Sequence, residues 1–221
     1  TFSFSSGTIN ASVNVLNQGA TTFTNVTDNG VFTNSGALTI PNGTASSISG
    51  AFSNSAAGTV TIAGNSAPTT LTLTAASGFT NAGLIDLQYN SVGGGTATAF
   101  NVSGTLTNTG TVRSSGTGVI TPVLTAQLTN TGTLEVLQPR SITNTLRALD
   151  LGGGTLNLAT GKTLTVNNGT TLIGSGTTIT GSGARTLSLA GTNTLDLQTD
   201  FTLPSGGFVL TQSGTPILTS S

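Results

Sequence analysis

The chain has 221 residues, 35% of them hydrophobic and only 5% charged, with a formal net charge of -1. Disorder is excluded by that balance, because disordered chains combine low hydrophobicity with high net charge. The complete lack of Cys and His excludes disulfides, thiolate chemistry, Ser-His-Asp triads and sulfur- or imidazole-based metal sites.

The first 30 residues open on Thr1-Phe2-Ser3-Phe4-Ser5, an alternating strand that puts Phe2 and Phe4 on one face. No Met precedes it and no basic, apolar leader pattern is present, as expected of a mature secreted chain or of a shortened one. From Val31 onward a phrase recurs: FTNSGALTI from Phe32, FTNAGLIDL from Phe79, LTNTGTVRS from Leu106 and LTNTGTLEV from Leu128. A further copy at Phe52-Ser53-Asn54 carries extra residues before Gly58, which predicts a lengthened corner. The phrase residues Asn34, Asn54, Asn81, Asn108 and Asn130 are spaced by roughly 20, 27, 27 and 22 residues, inside the range that marks solenoids. Ala148-Leu149-Asp150-Leu151 reads as a short irregular insertion where the repeat style changes. Beyond it, short period-2 strands start near Leu156, Leu164, Leu172, Ile179, Leu187 and Leu195, about every eight residues. Three of these make one turn of about 24 residues, so both halves give the same coil length.

Helix signals are almost missing, whereas β-branched residues and Gly are everywhere. The reading is an all-β, single-domain, right-handed parallel β-helix: a three-strand solenoid of about nine rungs, roughly 45 Å long. The first rungs occupy 1–30, the Thr-Asn-x-Gly repeats 31–145 and Gly/Thr-rich repeats 146–221. An antiparallel sandwich also shows short, evenly spaced strands, but leaves the recurring corner unexplained. Stacking predicts an Asn ladder from Asn34, Asn54, Asn81, Asn108 and Asn130, exchanging amide hydrogen bonds. It predicts an apolar stack from Phe32, Phe52, Phe79, Leu106 and Leu128. The phrase Gly is expected to supply a positive φ at the corner.

The Φ-Thr-Asn-x-Gly-x-Φ-x-Φ phrase, together with GGGTLNLATGKTLTVNNGTTLIGSGTTITGSG over 152–183, resembles repeats of bacterial secreted β-helix proteins. The likeness is to the filamentous-haemagglutinin and autotransporter-passenger adhesins and runs from about Val31 to Leu210. It implies adhesion, surface display or fibre formation at an extracellular location, and transfers no binding residue.

Paired carboxylates are the remaining enzymatic chemistry. A polysaccharide-degrading site would need Asp150, Asp196 and Asp200 to converge; isolated outward acids are the plainer reading, so no catalytic residue, cofactor or metal is assigned. Gly93-Gly94-Gly95 and Gly152-Gly153-Gly154 lack the Asp of a calcium repeat and the Lys-Ser/Thr of a phosphate loop, and read as corners. The pairs Thr59 and Thr61, Thr70 and Thr72, Thr72 and Thr74, and Thr163 and Thr165 raise a flat Thr/Asn face for glycan or ice. They shift position instead of repeating once per rung. Five scattered basic residues argue against nucleic acid, and no apolar run spans a bilayer. Neither end reads as a cap, so Phe2, Phe4, Ile217 and Leu218 are candidates for an end-to-end contact with a second copy. The expected role is a non-enzymatic, extracellular structural protein: a building block of a surface fibre or adhesin that associates head to tail.

Overall fold

Short alternating runs broken by Gly and Asn can form neither long helices nor wide antiparallel sheets. Winding into a coil is what buries their apolar faces. The computed structural model describes residues 1–75, 78–143, 147–213 and 217–220, with the side chains of 147 and 217–220 outside that description. It is a right-handed parallel β-solenoid of about nine turns. Three faces are stacked from strands in chain order.

The first face carries Asn14–Asn17, Val31–Asn34, Phe52–Asn54, Phe79–Asn81 and the later parts of Thr98–Asn108 and Val123–Asn130. Arg147–Asp150, Thr170–Ile173, Thr194–Leu197 and Ile217–Ser220 continue it. The second face begins with the early parts of Phe2–Ile9 and Ala20–Asp28 and runs through Ala37–Ile40, Thr59–Gly64, Leu84–Tyr89 and Thr111–Ser115 to Thr178–Thr180. The third face takes the later parts of those first two strands, then Ala45–Ile48, Thr69–Leu73 and onward to Phe208–Gln212. Phe2–Ile9 and Ala20–Asp28 turn the corner between faces through Ser6 (φ 51°) and Asn25 (φ 55°).

Alternation decides what lies inside. On the second face Leu38, Val60, Ile85, Val112, Leu134 and Leu156 stand in one register column. On the third face Leu71, Phe100, Leu124, Ile142, Val166 and Leu189 do the same. All of these side chains are fully buried, and each stabilises the coil by about 1.5–3 kcal/mol relative to exposure.

Two expectations are corrected. The phrase glycines do not take positive φ: Gly36, Gly83, Gly110 and Gly132 are absent from the positive-φ set among the described residues. Close approach is the reason for Gly instead, since a Cβ at Gly83, Gly110 or Gly132 would sit 2.2 Å from the carbonyl oxygen of the preceding coil's glycine. That oxygen accepts the N–H of the residue after the Gly above it, as in Thr111 to Gly83 at 2.8 Å and Thr133 to Gly110 at 2.8 Å. Ala148–Leu151 is no insertion either. Arg147–Asp150 is a strand of the first face, with the register shifting between Arg147 and Leu149, and Ala148, Leu149 and Leu151 are buried. Burying two consecutive side chains breaks the alternation, which is why the sequence looks irregular there.

Candidate functional site

The first corner holds the most regular polar structure in the molecule. Each Asn of the phrase is the last residue of its strand and points inward, because Phe-Thr-Asn alternates in, out, in. Asn34 Nδ2 donates to Asn54 Oδ1 at 2.8 Å, Asn54 to Asn81 at 2.7 Å, Asn81 to Asn108 at 2.7 Å and Asn108 to Asn130 at 2.6 Å. The second amide hydrogen reaches a backbone carbonyl one coil on: Thr59, Leu84, Thr111 and Thr133 in turn, at 3.1 to 3.2 Å. All the amides therefore point the same way along the axis. Such a chain strengthens each bond by polarising the next.

Asn17 begins this column and was missed in the sequence, donating to Asn34 Oδ1 at 2.7 Å and accepting from Thr21 Oγ1 at 2.9 Å. Val15-Leu16-Asn17-Gln18-Gly19 keeps Φ-x-Asn-x-Gly but lacks the Thr, and the spacing without the Thr was the signal available. The column ends at Asn130, whose amide, among the described residues, donates to the Gly132 and Thr155 carbonyls and to no further Asn.

Phe32, Phe52, Phe79, Leu106 and Leu128 lie in one column beneath the ladder. Phe32 and Phe52 are near-parallel at 5.9 Å, while Phe52 and Phe79 meet edge-on at 5.2 Å. The aromatic run is longer than this column. Phe4, Phe23 and Phe100 join from other faces, through Phe4–Phe23 at 5.5 Å, Phe23–Phe32 at 5.2 Å and Phe79–Phe100 at 5.9 Å. Sequence spacing within one phrase cannot show contacts between faces.

Outside, the second face carries the charged residues that stack. Asp86, Arg113, Glu135 and Asn157 follow in register. Arg113 Nη2 pairs with Asp86 Oδ2 at 2.7 Å, and Ser115 Oγ and Gln88 Nε2 donate to the same carboxylate at 2.8 and 2.9 Å. This hydrogen bond holds the Arg113 guanidinium above its ordinary pKa. Asn157 donates to Glu135 Oε1 at 3.2 Å. A shallow groove beside this column runs over Ala57, Gly58, Ala82, Gly83 and Gly110 to Arg113 and Glu135.

Asp150 and Asp196 share a first-face column, two coils apart, with Leu172 between them. Asp200 lines a different groove, with Ile173, Thr178 and Phe201, that neither of the other two lines. Among the described residues, no three acids gather to hold a metal and no helix is long and apolar enough to cross a membrane. Phe2 is 55% exposed and packs on Phe4 at 4.3 Å. Ile217 and Leu218 pair with Thr194 and Leu195, their side chains lying outside the described part.

The Thr-x-Thr pairs singled out in the sequence are spread over the second and third faces. A regular hydroxyl column exists elsewhere. The phrase's own second residue gives Thr33, Ser53, Thr80, Thr107 and Thr129 in unbroken register on the outside of the first face.

No protein family, curated protein or solved structure matches the chain.

Proposed function

We propose that the chain is a non-enzymatic structural rod, a β-helical building block of an extracellular bacterial surface fibre or adhesin. The observation that carries this reading is the buried amide ladder from Asn17 to Asn130, running parallel to the backbone ladders along the axis. Pulling the rod apart lengthwise must break both systems in the same coil. A nearly uncharged surface of Thr, Ser and Asn suits an exposed, salt-varying setting. Self-association is part of the proposal. Among the described residues, Phe2–Ile9, Asn14–Asn17, Phe208–Gln212 and Ile217–Ser220 each pair on one side only. Parallel edges of this kind accept another parallel coil, and the exposed Phe2 and Leu16 would be covered by it. Sedimentation and electron microscopy of concentrated protein test this. Rods in multiples of the single length support it, and strictly monomeric particles at every concentration overturn the end-to-end part.

A second reading rests on the hydroxyl column of Thr33, Ser53, Thr80, Thr107 and Thr129. Thr109 and Thr131 hydroxyls flank it, bonded to Asn81 and Asn108 carbonyls. The column is uncharged at these positions, in unbroken register, and repeats every ~4.8 Å, as a face that orders water at an ice surface requires. Thermal hysteresis is the measurement: Thr107→Tyr should abolish it and Thr125→Tyr, on the third face, should not. No hysteresis in the unmodified protein removes the reading.

A further inference from the structure

Arg140 opens the third-face strand Arg140–Thr143 and points inward, in the column continued by Leu164, Leu187 and Leu210. It is fully buried, and Nε, Nη1 and Nη2 all lack a hydrogen-bond partner. Arg185 shows how the same fold treats a buried guanidinium whose terminal nitrogens it satisfies: the Gly183, Gly206 and Ser205 carbonyls accept from Nη1 and Nη2, only Nε is left over, and Phe208 lies beneath at 5.7 Å. Among the described residues no carbonyl accepts from Arg140, and the Asp86 carboxylate favours its charged form only through space. Burial lowers its pKa to about 9, which still leaves it charged at neutral pH.

The other fasteners stop short of the coil that carries it: the amide ladder ends at Asn130, in the coil before, and the aromatic run ends at Phe100, two coils before. On the first face, Leu128–Leu149 and Thr129–Asp150 join this coil to the one before. Toward the next coil, the register slips between Arg147 and Leu149, and Thr171 Oγ1 is buried without a partner.

We infer that the strands Arg140–Thr143 and Arg147–Asp150 are a built-in opening point, where the rod yields locally while the coils on either side stay wound. Opening gives the Arg140 guanidinium water, so the free energy needed to open this coil is lower than elsewhere by the desolvation that is relieved. A rod so divided unfolds in two blocks, one fastened by the ladder and one not. Under load it lengthens at one place before it breaks.

Native-state hydrogen exchange on the full chain tests this. The amides of Ser141, Ile142, Thr143, Ala148 and Leu149 should exchange at least about tenfold faster than those of Thr59–Gly64 and Leu84–Tyr89. Equal protection would overturn the inference without any variant. Arg140→Met keeps the aliphatic stem and removes the charge, and should slow exchange at those five amides by about tenfold or more. Unchanged or faster exchange there would also overturn it, as would a slowing spread evenly along the rod.

Discussion

Replacing Asn81 removes the middle of the ladder. Its Nδ2 donates to Asn108 Oδ1 at 2.7 Å, Thr111 O at 3.1 Å and Gly83 O at 3.0 Å, and its Oδ1 accepts from Asn54 at 2.7 Å. Asn81→Ala orphans Asn108 Oδ1, which is fully buried, at about 1–3 kcal/mol. Asn54 keeps two longer bonds, to Gly58 and Leu84 carbonyls at 3.3 and 3.2 Å, so its loss is smaller. Adding the unfilled volume and the weakened polarisation of the remaining amides, the expected cost is about 3–5 kcal/mol. Asn81→Asp should cost more at neutral pH. It sets a carboxylate oxygen against Asn108 Oδ1 and two carbonyls, a contact of acceptors only. At acidic pH the new carboxyl gains a proton and can donate, so the gap between the two variants should narrow as pH falls. Guanidinium denaturation followed by far-UV circular dichroism reads both, with Thr107→Ala on the outer surface as the reference. A cost for Asn81→Ala below about 1 kcal/mol, or equal to that of Thr107→Ala, would refute the view that the ladder is a main fastener.

Gly83→Ala places a Cβ 2.2 Å from the Gly58 carbonyl oxygen and 2.3 Å from that of Ser55. It should cost more than Asn81→Ala or prevent folding, seen as a lost denaturation transition. Gly93→Ala, with nothing near its Cβ, should be nearly neutral. Asp28 is fully buried with Oδ2 unpartnered, and burial raises its carboxyl above the ordinary 3.8 although the Gly30 N–H opposes this. A raised folded pKa contributes stability that is fully present below the unfolded value and lost as pH rises through the folded one. The Asp28 contribution to the melting temperature should therefore fall as pH rises above the ordinary carboxyl value of 3.8, and Asp28→Asn should remove that part of the slope, as a pH series of thermal melts will show. Asp86→Ala leaves the Arg113 guanidinium, Ser115 Oγ and Gln88 Nε2 without their shared acceptor. Because Asp86 is 1% exposed, the expected loss is about 1.5–3 kcal/mol in the same denaturation assay, not the near-zero value of a surface pair.

Much of this architecture could be read along the chain because a solenoid is nearly one-dimensional. Contacts repeat at the coil length, so the spacing of Asn34, Asn54, Asn81, Asn108 and Asn130 already carried the distance between neighbours in space. Period-2 alternation at Leu156, Leu164 and Leu187 gave strand positions for the same reason. Asn17 was hidden because its corner lacks the Thr, and the Arg147–Asp150 strand because two adjacent residues are buried. Phe23 and Phe100 entered the aromatic run from other faces, which no within-phrase spacing encodes.

The amino-acid order by itself determined the coil, its period and which residues stack, since each follows from local alternation and from turn chemistry repeated at one interval. Only the tertiary structure decided what the phrase Gly is for. Its conformation is ordinary, and the crowding comes from a carbonyl one coil away. Only the fold, too, decided that Arg140 is buried in a column with Leu164, Leu187 and Leu210 without a partner, while carbonyls accept from both terminal nitrogens of Arg185. Gly183, two residues before Arg185, supplies one acceptor, but Gly206 and Ser205 are brought within reach by the next coil, and the residues beside an Arg do not specify that.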